Sequence, residues 1–463
     1  LAIFELLINN VSIVLTYLIF SLMVFENWIL IFWITFSCLN LFKYFFSFFN
    51  SGVIINNSWL FITDMSIYFV ILSFILILII LSFIFYIQMG IIYSFISIIL
   101  LITLLMYFLT SNLFVFFVSF EFSFLFVMLF IMLWGINPER INAISYLLIY
   151  SFIGSFPLII IIIFWDSVKL ESLWSANNYN DNRNHLIILF FQPSFNLWGT
   201  INILIWFWLV PFLIKIPIFG FHIWLPKAHV EAPVFGSMVL AGIMLKVGVF
   251  GLIRFTSFCV ITVYKSVMML VSYLLISIIL VNLICLRQFD LKAYIAYSSI
   301  VHMNLILISI FWTNSYTVTG TVLMSMCHGI CSSALFLSVS TLYQSTQSRN
   351  ILFNRGILYL FPSFIFFFFL LCICNSSIPP SFNFISEIIL LITPLVHITS
   401  SYFFFIINVF FCGLYNIYIY IIISFGKLPI ALNYINIPNI QFTLLNIFFH
   451  VFILLLYFSI NFI

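Results

Sequence analysis

Four ionisable residues, Glu121, Lys215, Lys246 and Glu387, stand inside long apolar stretches of this sequence. At the centre of a membrane helix each would cost at least about 2.5–3.5 kcal/mol. A carboxylate and an ammonium buried near one another form a proton-transfer pair. Desolvation weakens an ammonium's hold on its proton and a nearby carboxylate restores it, so moving one partner loads or unloads a proton. Such residues also occur as buried ion pairs or snorkelling side chains that fix helix register. Four of them on separate stretches, two beside helix-breaking prolines, favour a proton or ion path.

His302 and His328 fall in two further apolar stretches, between the lysines and Glu387 in chain order. An imidazole can give and accept a proton near neutral pH, or simply hydrogen-bond one helix to another. Lys292, two residues after Asp290, either snorkels from a helix end or joins the path. His222 and His229 flank Lys227 near a membrane boundary, where packing or capping is expected. His185, His397 and His450 carry no functional reading; Arg254, Arg349 and Arg355 read as interfacial, and the Phe and Tyr stripes as lipid-facing. The eight cysteines are scattered without a zinc or iron–sulfur spacing, so neither a metal nor a disulfide is expected. No glycine-rich phosphate loop is found either.

The elements that must position these groups follow from composition. The 463 residues are 65% apolar and 5% charged, against roughly 25% charged in an ordinary soluble domain. At about 20 residues per span, that supplies on the order of 14 or 15 membrane helices. A net charge of +3 excludes a nucleic-acid footprint. Apolar stretches of spanning length read at about 1–24, 28–49, 66–88, 90–110, 112–134, 143–165, 199–226, 234–256, 264–286, 292–313, 318–343, 357–396, 400–425 and 443–462, which makes fourteen. The segment 166–186 reads as a solvated loop and 184–192 as too short to span. The stretch at 199–226 is interrupted by Pro211 and Pro217, and that at 357–396 by Pro379 and Pro380. Such breaks survive at membrane depth where they are buried or line a wet cavity, and paired breaks in two halves are the layout of inverted-repeat transporters. The expected division is 1–89 (N-terminal helices), 90–256 (first repeat), 264–425 (second, inverted repeat) and 426–463 (C-terminal helix). The first arginine is Arg140 and no basic leader precedes it, so neither a secretory signal nor a transit peptide is expected. The 63 Phe residues fit an A/T-rich, organelle-type genome.

The stretch from Lys215 to Arg254, containing W-L-P-K-A-H-V-E-A-P at 224–233, resembles the core signature of the antiporter-like membrane-arm subunits of respiratory complex I, NADH:ubiquinone oxidoreductase, and the subunit 4 type among them. Trp134–Asn142, Asp290–Met303, His328 with Ser332 and Ser333, and Pro379, Pro380, Asn383 and Glu387 agree with it. The resemblance runs from about 110 to 420. It implies an all-α polytopic membrane fold of about 14 helices, with two inverted five-helix repeats and broken seventh and twelfth helices. The implied roles are Glu121 paired with Lys215, Lys246 as central proton carrier, His302 and His328 as links, and Glu387 as terminal site. Also implied are sister antiporter-like chains and lipids as partners, no nucleic acid, and the mitochondrial inner membrane. NADH, FMN, iron–sulfur clusters and ubiquinone are expected in other subunits, with no cofactor or metal on this chain. Gln344 and Ser345, where many relatives carry charges, and the length of 166–198 depart from the family pattern. A stand-alone cation/proton antiporter on the same scaffold is the alternative.

Overall fold

The computed structural model describes residues 55–56, 61–87, 91–135, 137–167, 198–258, 264–312, 315–397, 401–427 and 440–456. The expected spans at 1–24 and 28–49, the stretch 184–192 and all but the start of the 166–186 segment lie outside these residues. Two compact units are distinguished: Leu1–Val53 with Ile77–Ile98, and Ile54–Leu76 with Ile99–Ile463. Of the first, the described part is the end of one helix and the start of the next. All candidate site residues belong to the second.

The elements are a two-residue antiparallel pairing, β1 (Ile55–Asn56) with β2 (Phe61–Ile62), followed by helices. These are α1 (Asp64–Ile87), α2 (Ile91–Leu109), α3 (Leu113–Trp134), α4 (Arg140–Ser167), α5 (Trp198–Lys215), α6 (Trp224–Glu231) and α7 (Val234–Val239). A π-helical turn, Leu240–Met244, joins α7 to α8 (Leu245–Phe258). Then come α9 (Tyr264–Leu286), α10 (Leu291–Ile310), α11 (Ser315–Thr346), α12 (Pro362–Asn375), α13 (Phe382–His397), α14 (Ser401–Ser424) and α15 (Ile440–Leu456). Among the described residues, nine spans are long and apolar enough to cross a membrane, with shorter apolar helices beside them. The all-helical membrane architecture expected from composition is therefore present.

Chain punctuation explains where helices begin and end. The Asn112 side chain accepts the Phe114 amide at 2.8 Å and starts α3. Gly135 closes that helix, its carbonyl taken by the Arg140 guanidinium at 2.6 Å. The two proline-marked stretches are each broken in two. The first separates α5 from α6 across residues 216–223, with Pro211 accommodated inside α5 and Pro217 in the break. The second separates α12 from α13 across 376–381, with Pro379 and Pro380 in the break.

The backbone groups freed at the breaks are satisfied by protein, as membrane depth requires. Trp224 Nε1 donates to the Ile214 carbonyl at 3.1 Å, and the Tyr273 hydroxyl to Phe219 at 2.7 Å. Asn383 Nδ2 donates to the Cys374 carbonyl at 2.7 Å. Along α11, the hydroxyls of Ser325, Ser332, Ser333, Ser338 and Thr341 donate to carbonyls one turn earlier, so a serine-rich helix remains compatible with burial.

Candidate functional site

Two glycine contacts set the distance between the helices that carry the charges. A Cβ at Gly329 on α11 would lie 3.0 Å from the Gly242 carbonyl in the π-helical turn. Without it the two backbones close up, which brings Lys246, four residues after Gly242, onto His328, the neighbour of Gly329. A Cβ at Gly248 would lie 2.7 Å from Ile216 Cγ1 and 3.4 Å from Lys215 Cβ, so the absence of a side chain there lets α8 seat on the end of α5.

Lys215 is the last residue of α5, buried, with Nζ 3.8 Å from Glu121 Oε1 on α3. The same ammonium donates to the Phe120 carbonyl at 2.9 Å and lies 2.9 Å and 4.1 Å from the Phe120 and Phe124 ring centroids. Desolvated cation–π contacts contribute about 2 kcal/mol. Phe120 and Phe124 were expected to be lipid-facing; they are buried and form the other half of the lysine's cradle. The spacing could have shown it, because Phe120, Glu121 and Phe124 share neighbouring positions on one helix face.

Lys246 is fully buried. Its Nζ donates to the Ala241 carbonyl in the π-helical turn and lies 3.1 Å from His328 Nδ1. With Lys246 as an ammonium, which can only donate, Nδ1 accepts and the His328 proton sits on Nε2. The His328 and His302 rings follow at 5.3 Å between centroids. His302 Nε2 lies 3.1 Å from the Asn375 carbonyl, and since a carbonyl only accepts, this ring too is protonated at Nε2. His302 thus caps the C-terminus of α12, where a broken helix exposes partial negative charge.

From Asn375 a polar stripe runs along α14. Asn375 Nδ2 donates to Asn416 Oδ1 at 2.9 Å, and the Tyr294 hydroxyl to the same oxygen at 3.2 Å. One turn earlier Cys412 Sγ lies 3.0 Å from the Tyr415 hydroxyl. One further turn away, Asn408 Nδ2 donates to Glu387 Oε1 at 3.4 Å and Asn408 Oδ1 accepts from Asn282 Nδ2 at 2.8 Å. Asn282, Asn375, Asn408 and Asn416 are buried, and sequence reading passed over all four. Asn408 and Asn416, eight residues apart in an apolar helix, were the available signal.

Lys292 and Glu231 form a separate cluster. Lys292 Nζ donates to the carbonyls of Ala232 at 2.8 Å and Val230 at 3.4 Å. Glu231 accepts from Asn137 Nδ2 at 3.4 Å and lies 3.8 Å from Arg349. His222 Nδ1 accepts the Gly220 amide at 3.1 Å within the break and caps neither helix. His229 stacks on Phe336. The described cysteines, Cys285, Cys327, Cys331, Cys372, Cys374 and Cys412, are buried and unpaired with one another. The site thus groups buried lysines, histidines and a glutamate with hydrogen-bonding amides beside them.

The NADH:quinone oxidoreductase/Mrp antiporter transmembrane family matches residues 110–414. Over 326 residues the chain is 38% identical to NADH-ubiquinone oxidoreductase chain 4 of Ceratitis capitata, covering 69% of this chain and 68% of that one. Over 352 residues it is 34% identical to the chain of the same name from Albinaria caerulea, covering 75% of each. In fold it is similar to a chain in respiratory complex I from Thermus thermophilus with bound NADH, with a TM-score of 0.72 at 17% identity, over 95% of this chain and 93% of that one. It is also similar to a chain in the Mrp complex from Dietzia sp. DQ12-45-1b, with a TM-score of 0.73 at 17% identity, over 93% of this chain and 47% of that one. At these identities the two structures speak to fold alone.

Proposed function

The chain belongs to the NADH:quinone oxidoreductase/Mrp antiporter family, alongside the chain 4 type, and from that premise we propose that it is a proton-translocating membrane-arm subunit of respiratory complex I. It couples NADH-to-ubiquinone electron transfer, carried out by other subunits, to proton movement and performs no redox step itself. NADH, FMN, iron–sulfur clusters and ubiquinone belong to those subunits, and the sister antiporter-like chains and membrane lipids are its partners. It resides in the mitochondrial inner membrane and is encoded by the organelle. About fourteen helices arranged as two inverted five-helix repeats, 90–256 and 264–425, complete the proposed architecture.

In this reading Glu121 and the rings of Phe120 and Phe124 hold the Lys215 ammonium. Lys246 is the central carrier: when the Lys215–Glu121 pair opens, the positive charge arriving near Lys246 favours proton release to His328. His328 and His302 pass the proton on, and Glu387, oriented by Asn408, is the terminal site. Lys292 serves the path from its side of the bundle. The observation that carries this reading is the fully buried Lys246 with His328 Nδ1 at 3.1 Å. A purely structural lysine would be matched to a carboxylate, because an unpaired buried charge costs several kcal/mol.

The test is Lys246→Ala in the assembled complex. Proton translocation coupled to NADH oxidation is expected to be abolished, and a normal proton-to-electron stoichiometry would refute the scheme. The Mrp likeness keeps a stand-alone cation/proton antiporter as the second reading. A free antiporter runs small in native detergent electrophoresis, whereas the complex I subunit co-migrates with NADH dehydrogenase activity.

A further inference from the structure

Tyr107, on α2, is fully buried and takes no part in the scheme above. Its ring lies among aromatic side chains from two other helices. It stacks on Phe116 of α3 at 4.4 Å between centroids and 24° between planes, and on Phe120, one turn further along, at 5.9 Å and 29°. Phe250 of α8 meets it edge-on at 5.7 Å. A phenylalanine would fill this space equally well, so packing accounts for the ring and not for the hydroxyl. The hydroxyl donates to the Val247 carbonyl of α8 at 2.8 Å, a contact between residues 140 apart in the chain. A hydroxyl buried from solvent is costly to leave unpaired, so this bond resists any turn of α8 relative to α2 and α3.

The two ends of this one side chain touch the two lysine sites. Phe120 holds Lys215 with its carbonyl and with its ring, both 2.9 Å from Nζ. Val247 directly follows Lys246, so a rotation of α8 that shifts the Val247 carbonyl also shifts the lysine, whose Nζ reaches His328 Nδ1 at 3.1 Å. Gly251, one turn after Val247, makes room for the approach. A Cβ there would lie 2.8 Å from the Tyr107 hydroxyl and collide with the Phe212 ring of α5, which itself packs edge-on against Phe120 at 5.5 Å. The charged groups around this cluster are Glu121 and Lys215 beside Phe120, Lys246 beside Val247, and Arg254 of α8, whose guanidinium lies 5.4 Å from the Phe250 ring.

We propose that Tyr107 is a positioning residue that couples the two lysine sites, keeping the Lys246 turn of α8 in register with the Phe120 wall of the Lys215 site. This rests on the reading of the chain as a proton translocator. Tyr107 is not a carrier in this role and keeps its own proton on the hydroxyl. When the Lys215–Glu121 pair opens, Phe120 shifts with the ammonium it holds and the Tyr107 ring follows the ring stacked on it. The hydroxyl then draws the Val247 carbonyl, and Lys246 moves with it. The change at one lysine thus reaches the other as a displacement as well as a field.

The test compares Tyr107→Phe, Glu121→Gln, the two combined, and Lys246→Ala in the intact complex, measuring proton translocation and NADH oxidation in sealed membranes across pH. Tyr107→Phe keeps the stack on Phe116 and Phe120 and removes only the hydroxyl. It is expected to slow translocation roughly three- to tenfold, the range that loss of one hydrogen bond supports, with the pH–rate profile displaced in the same direction as in Glu121→Gln. With the ion pair already gone there is no opening left to transmit, so adding Tyr107→Phe to Glu121→Gln is expected to cost little more. A normal rate and profile in Tyr107→Phe, or losses that multiply in the combined variant, alongside a dead Lys246→Ala, overturns the coupling and leaves the wider reading standing. Normal translocation in Lys246→Ala overturns the wider reading instead. Should Tyr107→Phe not assemble, density maps of the unmodified complex at rest and during turnover decide. Tyr107 displaced together with Phe120 and Val247 supports the coupling, and any other result overturns it.

Discussion

Lys246 Nζ lies 3.1 Å from His328 Nδ1, a contact between two helices 82 residues apart in the chain and closed by the backbone approach of Gly242 to Gly329. Neither partner has a carboxylate in contact among the described residues. In the proposed scheme His328 Nδ1 is the acceptor beside the lysine's proton.

His328→Phe keeps a ring of similar size and removes that acceptor. Proton translocation is expected to fall by about 10²-fold, in line with loss of a positioned acid–base group, while the complex remains assembled. Translocation per NADH oxidised, measured in sealed membranes, checks it.

Gly329→Val places a branched side chain against the Gly242 carbonyl, where a Cβ alone would sit at 3.0 Å. Overpacking of this kind costs about 1–3 kcal/mol. The expected result is a lower thermal midpoint of the complex and slowed translocation together, because α11 must move off the π-helical turn and carry His328 away from Lys246. Unchanged stability and rate would show that this approach is not a constraint.

Glu121→Gln keeps the side-chain shape and deletes the charge facing Lys215. Translocation slows and its pH–rate profile moves, since proton release from Lys215 no longer depends on that carboxylate. Phe124→Leu retains the carboxylate and removes one aromatic wall of the lysine's cradle, with a smaller loss, on the order of tenfold or less for a contact of about 1–2 kcal/mol. An identical pH–rate profile in Glu121→Gln shows the ion pair to be structural.

Asn408→Leu leaves both Glu387 and Asn282 without their shared partner and is expected to destabilise by about 1–3 kcal/mol. Replacing Asn282 with leucine as well removes one of the stranded groups. The double variant is then expected to be more stable than the sum of the single variants implies. Thermal unfolding of the purified complex measures the cycle, and an additive result argues against the Asn282–Asn408–Glu387 chain.

The breaks between α5 and α6 and between α12 and α13 were legible because proline cannot continue a hydrogen-bonded helix, and the four intramembrane charges because charge is rare and expensive in an apolar run. The aromatic cradle of Lys215 was hidden by composition: with 63 phenylalanines, two that face an ammonium look like any others. The asparagines that orient Glu387 and receive His302 were hidden for a different reason. An amide in a membrane helix gains meaning only from the group opposite it, and Asn282, Asn375, Asn408 and Asn416 lie on three helices far apart in sequence.

Sequence by itself determined the membrane class, the helical architecture, the positions of the two breaks and three of the buried charges, Lys215, Lys246 and Glu387. Each of these is fixed by local chemistry, namely apolar length, a missing backbone donor or the solvation cost of an ion. Only the tertiary structure decided which charge meets which partner. It set Lys215 between Glu121 and two aromatic rings, Lys246 on His328, Glu387 on Asn408, and Lys292 on the carbonyls beside Glu231. Those pairings depend on how closely helices approach, and that distance is set by small residues such as Gly242, Gly248 and Gly329, whose effect appears only when another helix packs against them.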